Sequence, residues 1–171
     1  MALFFPCQAM YEKRRRDLDR AELAAARLLS PLKALDDHVA SLFAWLVFYD
    51  GDSERTDAQI LKLLDELHSI SASITMDDLY QLLGLPDHAA KRAARALGLI
   101  QTFRHEKVYR LSGQSWREAS APQKAAAYDR WGDDVMEFRD HLIIAVRICE
   151  SAASTGAPRP STFEIHGSDE V

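Results

Sequence analysis

The sequence predicts a mainly α-helical protein with one small β-hairpin. Three observations carry that expectation. Apolar residues recur at alternating spacings of three and four along two long stretches, Leu32 to Tyr49 and Tyr128 to Cys149, the signature of a helix face that is buried. Gly and Pro are scarce, seven and six in 171 residues, which argues against a turn-rich β architecture. A single stretch, Ile100 to Leu111, is rich in strand formers: Thr102, Phe103, Val108 and Tyr109. With 47% hydrophobic and 27% charged residues, the chain has a globular composition, and its length allows one compact domain or two small ones.

The elements follow in order. A first helix is expected from about Ala9 to Leu29. Ser30-Pro31 stops it, because a residue before proline avoids helical angles. The same pair opens the next helix, with Ser30 as N-cap and Pro31 in the first turn. That helix carries Leu32, Leu35, Val39, Leu42, Leu46 and Tyr49, and ends at Asp50-Gly51. Thr56 and Gln59 form a capping-box signature for a third helix, with Ile60, Leu63, Leu64, Leu67 and Ile70 on one stripe. Ser71 to Ile74 reads as an extended link. Thr75 caps a fourth helix bearing Leu79, Leu82 and Leu83, closed by a tight turn at Gly84-Leu85-Pro86-Asp87. A fifth helix spans about Asp87 to Leu97 and ends at Gly98. Ile100 to Leu111 then forms the hairpin, with His105-Glu106-Lys107 at its tip. Ser112 to Ser115 is a loop. A last helix, about Pro122 to Ala153, holds the seam Tyr128, Trp131, Val135, Phe138, Leu142, Ala145 and Cys149. Thr155 to Val171 has no periodicity and is expected to be a disordered tail.

The net charge of −5 rules out an overall basic coat for gripping nucleic acid, so any such activity must come from a local patch. Cys7 and Cys149 lie far apart with no zinc-type spacing, and are expected to be reduced thiols. The apolar start, Ala2 to Cys7, lacks the flanks of a signal peptide. No apolar run reaches the length of a membrane span, so the cytoplasm is the expected compartment.

The informative region is 56–112. From Pro86 to Ser112 there are six Lys/Arg and two acids, a local charge of +4 that leaves −9 for the remainder. His88, Lys91, Arg92 and Arg95 share one face of the fifth helix, opposite Ala90, Ala93, Ala94 and Leu97. The hairpin adds Arg104, Lys107 and Arg110. The stretches Met76-Asp77-Asp78-Leu79-Tyr80-Gln81-Leu82-Leu83-Gly84-Leu85 and Pro86 to Leu97, followed by Gly98-Leu99-Ile100, resemble the two helices and the wing entry of a winged helix-turn-helix. The span Gly84 to Gly98 is about one turn shorter than is usual there. The flanking helices make the architecture similar to that of MarR-type regulators. The resemblance covers about a third of the chain. It implies a DNA-binding transcriptional regulator, dimeric through its N- and C-terminal helices. His88, Lys91, Arg92 and Arg95 would meet double-stranded DNA in the groove, and Arg104, Lys107 and Arg110 would hold phosphates. The corresponding division is 1–51 for N-terminal packing or dimer helices, 52–114 for the winged helix, 115–154 for the long C-terminal helix and 155–171 for the tail.

No phosphate loop, zinc-protease, serine-elbow or dinucleotide motif is present, and no enzyme activity, metal or cofactor is expected. Glu137/His141 and Asp65/His68 have helical ligand spacing but read as solvated pairs. The reading of a different class is a non-catalytic protein–protein interaction module on a degenerate winged helix, in the manner of small phage- or plasmid-type inhibitors and adaptors. It fits a compact, acidic, helical chain without motifs.

Overall fold

The computed structural model describes residues 4–156, and side chains from residue 10 to residue 155. The expected tail lies outside the described residues, apart from its first two positions, which belong to the last helix. Among the described residues there are six α-helices and no strand. They are α1 (Phe4–Val47), α2 (Ser53–Ala72), α3 (Met76–Gln81), α4 (Ala89–Ser112), α5 (Gln114–Arg117) and α6 (Ala121–Gly156), with a 3₁₀ turn at Leu82–Gly84 between α3 and α4. No helix is long and apolar enough to cross a membrane among these residues.

Two of the expected boundaries disappear. α1 is one helix of 44 residues with Pro31 inside it, not two helices broken at Ser30-Pro31. An internal proline deletes one hydrogen bond and crowds the preceding turn, at about 3 kcal/mol. Burial on both sides outweighs that cost. Leu28, Leu32, Leu35, Val39, Leu42 and Leu46 are all at most 3% exposed, and they stay on one face only if the helix runs through.

The β-hairpin wing is likewise replaced by helix. α4 continues through Gly98 to Ser112, so no β-hairpin wing forms there. The strand formers lose to periodicity. Ile100, Phe103, Lys107 and Leu111 extend the buried row begun by Ala93, Ala96 and Leu97 at helical spacing. Gly98 is exposed, and a side chain there would meet nothing within 4 Å, so it costs helix propensity without disturbing packing. α2 also starts earlier than expected. Asp52 is its N-cap, accepting from the Arg55 backbone N–H, while Thr56 is buried within the first turns. Its last turn takes in Ser71 and Ala72. Thr75 caps α3 as expected, and Asp78 completes the capping box.

α1 and α6 form the long interface of the bundle. They run antiparallel, with Arg139 beside Asp36, Lys33 beside Glu150, and Gly132 against Phe43 and Val47. The seam of α6 from Tyr128 to Cys149 is at most 3% exposed and belongs to the same core as the row on α1. The two stripes assigned to a dimer in the sequence are therefore filled within one chain. α2 and α4 complete the bundle against α1 and α6. α6 ends beside Leu18, so α1 runs on past it, and residues 10–20 are all exposed.

Candidate functional site

The seven basic and histidine positions expected to meet DNA all lie on α4 or on its N-cap, which removes the two-part groove-and-wing arrangement. They do not share one face. At about 100° per residue, Lys107 lies on the row of Phe103 and Leu111, facing the core. Its side chain is one-tenth exposed, its Nζ lies 3.3 Å from carboxylate oxygens of Glu106 and Asp134, and it stands over the Phe103 and Trp131 rings. Arg104 donates to Asp65 on α2 at 2.9 Å. Arg95 donates to Glu137 on α6 at 3.0 Å. Arg92 turns back to donate its Nε to the Asp87 carbonyl at 3.0 Å. Lys91 and His88 are exposed. Arg110 lies over the rings of Trp116 and Trp131, with centroids 5.5 and 5.6 Å away.

The turn before α4 holds two consecutive non-glycine residues in the left-handed region, Asp87 (φ 51°) and His88 (φ 60°). Such residues are held there only when their surroundings fix them. Here the fixing bonds are Arg92 Nε to Asp87 O and the Arg92 backbone N–H to His88 O at 2.9 Å. Arg92 is thus a clamp on the turn. An apolar groove of about 400 Å³ opens beside it, lined by Leu18, Leu85, Pro86 and Ile148, with Glu22 and Arg147 at its polar positions.

Three aromatic residues gather where α4 gives way to α5 and α6. Trp116 and Trp131 are stacked with centroids 5.1 Å apart, and Tyr128 meets both edge-on at 5.6 Å. Asp57 of α2 ties the group together. It accepts from the Tyr128 hydroxyl at 2.6 Å and from Trp116 Nε1 at 2.8 Å. Burial, and then the Asp57 carboxylate, push the Tyr128 hydroxyl pKa far up, so it stays a donor. Lys124 lies 3.7 Å from the same carboxylate. This arrangement satisfies every polar group it buries, as an interior polar network must.

The pairs with ligand spacing do not gather into a metal site. Glu137 is engaged by Arg95 and Asp65 by Arg104, and no group of three or more His, Cys, Asp or Glu could hold a metal among the described residues. Cys149 is fully buried, and burial pushes its thiol up to about 11.

A different surface escaped the sequence reading. Met76, Tyr80 and Leu83 lie at i, i+4 and i+7 along α3 and the 3₁₀ turn, and are 61%, 63% and 56% exposed. Leu79 and Leu82, on the opposite side, are buried. The signal was present, since this short segment carries two apolar rows where a surface helix needs one. The exposed row borders a groove of about 430 Å³ lined by Asp17, Arg20, Tyr80, Gln81, Leu83 and Gly84. The close approach of α1 at this point requires Gly84. A Cβ there would stand 3.2 Å from Ala21 Cβ and 3.3 Å from the Asp17 carbonyl. The exposed stretch of α1 beyond it carries Met10, Tyr11 and the run Lys13 to Arg16. In comparisons with protein-family models, with curated proteins and with solved structures, nothing matches this chain.

Proposed function

We propose that this chain is a non-catalytic interaction protein, a helical bundle that binds an amphipathic helix of a partner protein at its α1–α3 end. One observation carries the reading: Met76, Tyr80 and Leu83 form a helical row of large apolar side chains that the fold leaves in solvent beside a groove. Scattered exposed apolar residues need no explanation, but a spaced row along a groove marks a docking face. Charge gives the partner's character. Residues 10–20 of α1 hold Lys13, Arg14, Arg15, Arg16 and Arg20 against Glu12, Asp17 and Asp19. A helix with an apolar stripe flanked by Asp and Glu matches both features.

The argument for duplex DNA is weaker on this geometry. It needed a basic face free to reach phosphates, and Arg95, Arg104 and Lys107 are engaged by Glu137, Asp65 and Asp134. The deciding experiment immobilises the wild-type chain and a Tyr80→Glu/Leu83→Glu variant and compares the proteins retained from the source extract. A partner retained at near-stoichiometric amounts by the wild type and lost by the variant supports the reading. An identical retained set for both sinks it. Fluorescence anisotropy against random-sequence duplex at about 50 mM salt, where non-specific electrostatic binders are visible, checks DNA directly. The expected result is no binding.

A further inference from the structure

At the opposite end of α6 from the apolar row, three cations surround the stacked pair of tryptophans. Lys107 stands over Trp131, Lys124 over Trp116, and Arg110 over both. Two of the three have carboxylates: Asp134 and Glu106 for Lys107, Asp57 for Lys124. Among the described residues no carboxylate lies within 4.0 Å of Arg110, whose exposed side chain lies over two indole rings that are themselves buried. Arg110 lines an open groove of about 600 Å³ with Ser115, Trp116, Glu118, Gln123 and Arg130. Arg130 donates its Nε to the Ala126 carbonyl at 3.1 Å and has no carboxylate partner among the described residues either. By contrast, half-buried Arg104 on α4 and Arg139 on α6 are paired across helices with Asp65 and Asp36.

We infer that this groove is a binding site for a phosphate group, gripped between Arg110 and Arg130. Guanidinium groups present N–H donors in a planar fork that matches phosphate oxygens. Ser115 and Gln123 supply hydroxyl and amide donors on the same wall. The groove also borders the first turns of α6, at Gln123 and Ala126, where the helix dipole favours negative charge. One acid stands on the rim, Glu118, and its Oε1 accepts from Gln114 Nε2 at 2.6 Å. The groove therefore carries two positive side chains against one negative. Its volume falls within the roughly 300–1,000 Å³ of small-molecule sites, so it has room for an organic group beyond the phosphate. This site is separate from the apolar docking row and does not depend on it.

The test uses the full chain and the fluorescence of its tryptophans, one of which, Trp116, lines the groove. Inorganic pyrophosphate and adenosine diphosphate are titrated in parallel. Saturable binding of both is expected, weakened about tenfold or more by Arg110→Gln or Arg130→Gln, the loss of a charge-assisted bond. Tighter binding of adenosine diphosphate assigns the site to an organic phosphate, and equal binding assigns it to the free oxyanion. Arg110→Gln also removes packing on the tryptophans, so Glu118→Gln is the second variant. Glu118 is none of the cations that stand over the rings, and its replacement is expected to tighten binding severalfold by removing the rim's negative charge. The inference is overturned if neither probe binds below about 10 mM. It is also overturned if Arg130→Gln binds as the wild type does, or if Glu118→Gln leaves the affinity unchanged.

Discussion

Where α4 passes into α5 and α6 begins, Trp116, Tyr128 and Trp131 are at most 4% exposed, and Asp57 accepts from two of their three polar hydrogens. Where α6 stops, Met76, Tyr80 and Leu83 are more than half exposed, with α1 running on into solvent beside them. The chain uses similar residue types at both ends, large side chains with an apolar body. One end spends them on its own interior, and the other leaves them outside. Stability and the proposed recognition should therefore be separable by mutation, since the residues that hold the bundle together are not those left in solvent.

The sharpest break of that contrast is Trp131→Ala. Its ring stacks on Trp116, meets Tyr128, and lies under Lys107 and Arg110. Removing a buried indole leaves a cavity and takes one ring face from two cations, so a loss of about 3–5 kcal/mol is expected from urea unfolding. A loss below about 1 kcal/mol would show that this end is not the stabilising one. Asp57→Ala comes next. It deprives the Tyr128 hydroxyl and Trp116 Nε1 of their acceptor and Lys124 of its counter-charge while all three residues remain buried. The expected loss is about 2–3 kcal/mol. Asp57→Asn keeps an acceptor oxygen and should recover part of it.

How much of this was visible in the sequence depends on distance along the chain. The α1 and α6 stripes were legible because a buried helix face repeats at three and four residues, a local pattern. The Thr75 cap was legible for the same reason. Pro31 misled because a local stop signal was outweighed by Leu28 and Leu32 burying against α6, more than a hundred residues away. The strand formers at 102–109 misled because Ile100, Phe103 and Leu111 had a continuous helical core to join. The candidate DNA site suffered most. Whether Arg95 is free depends on Glu137, 42 residues on, and Arg104 on Asp65, 39 residues back. No window of the sequence contains both partners, so a basic stripe looked unpaired when it was not.

Cys149 tests whether the bundle stays closed close to its open end. It lies two turns before the end of α6, and burial raises its thiol to about 11 from an ordinary 9.0. At pH 8 the thiolate fraction is then about a hundredfold below that of a free thiol. In a Cys7→Ser background, labelling by a disulfide reagent should be slower than for the unfolded chain by at least that factor. The folded state holds its proton more tightly, so this contribution to stability is intact below about pH 9 and is lost as pH rises toward about 11. Rapid labelling of the folded chain would mean that the α1–α6 seam frays beside the apolar row. The row's exposure would then reflect opening of the bundle and not a formed surface.

The smallest expected effect on stability is the one that bears most on function. Tyr80→Ser and Leu83→Ser together remove two large side chains that touch mainly solvent, and surface substitutions of this kind change stability by within about 0.5 kcal/mol. Leu82→Ala, one residue away but fully buried, should cost about 2–5 kcal/mol. Adjacent leucines thus give opposite outcomes, and the pair is an internal control that no global perturbation can mimic. If Leu83→Ser were as costly as Leu82→Ala, Leu83 would belong to the core of the bundle and the docking row would lose a member. If the double serine variant keeps full stability and loses partner retention, the apolar row is there for recognition. In that case what holds Tyr80 and Leu83 in solvent is the rigid backing of Leu79 and Leu82 against the core, which fixes the row in place before any partner arrives.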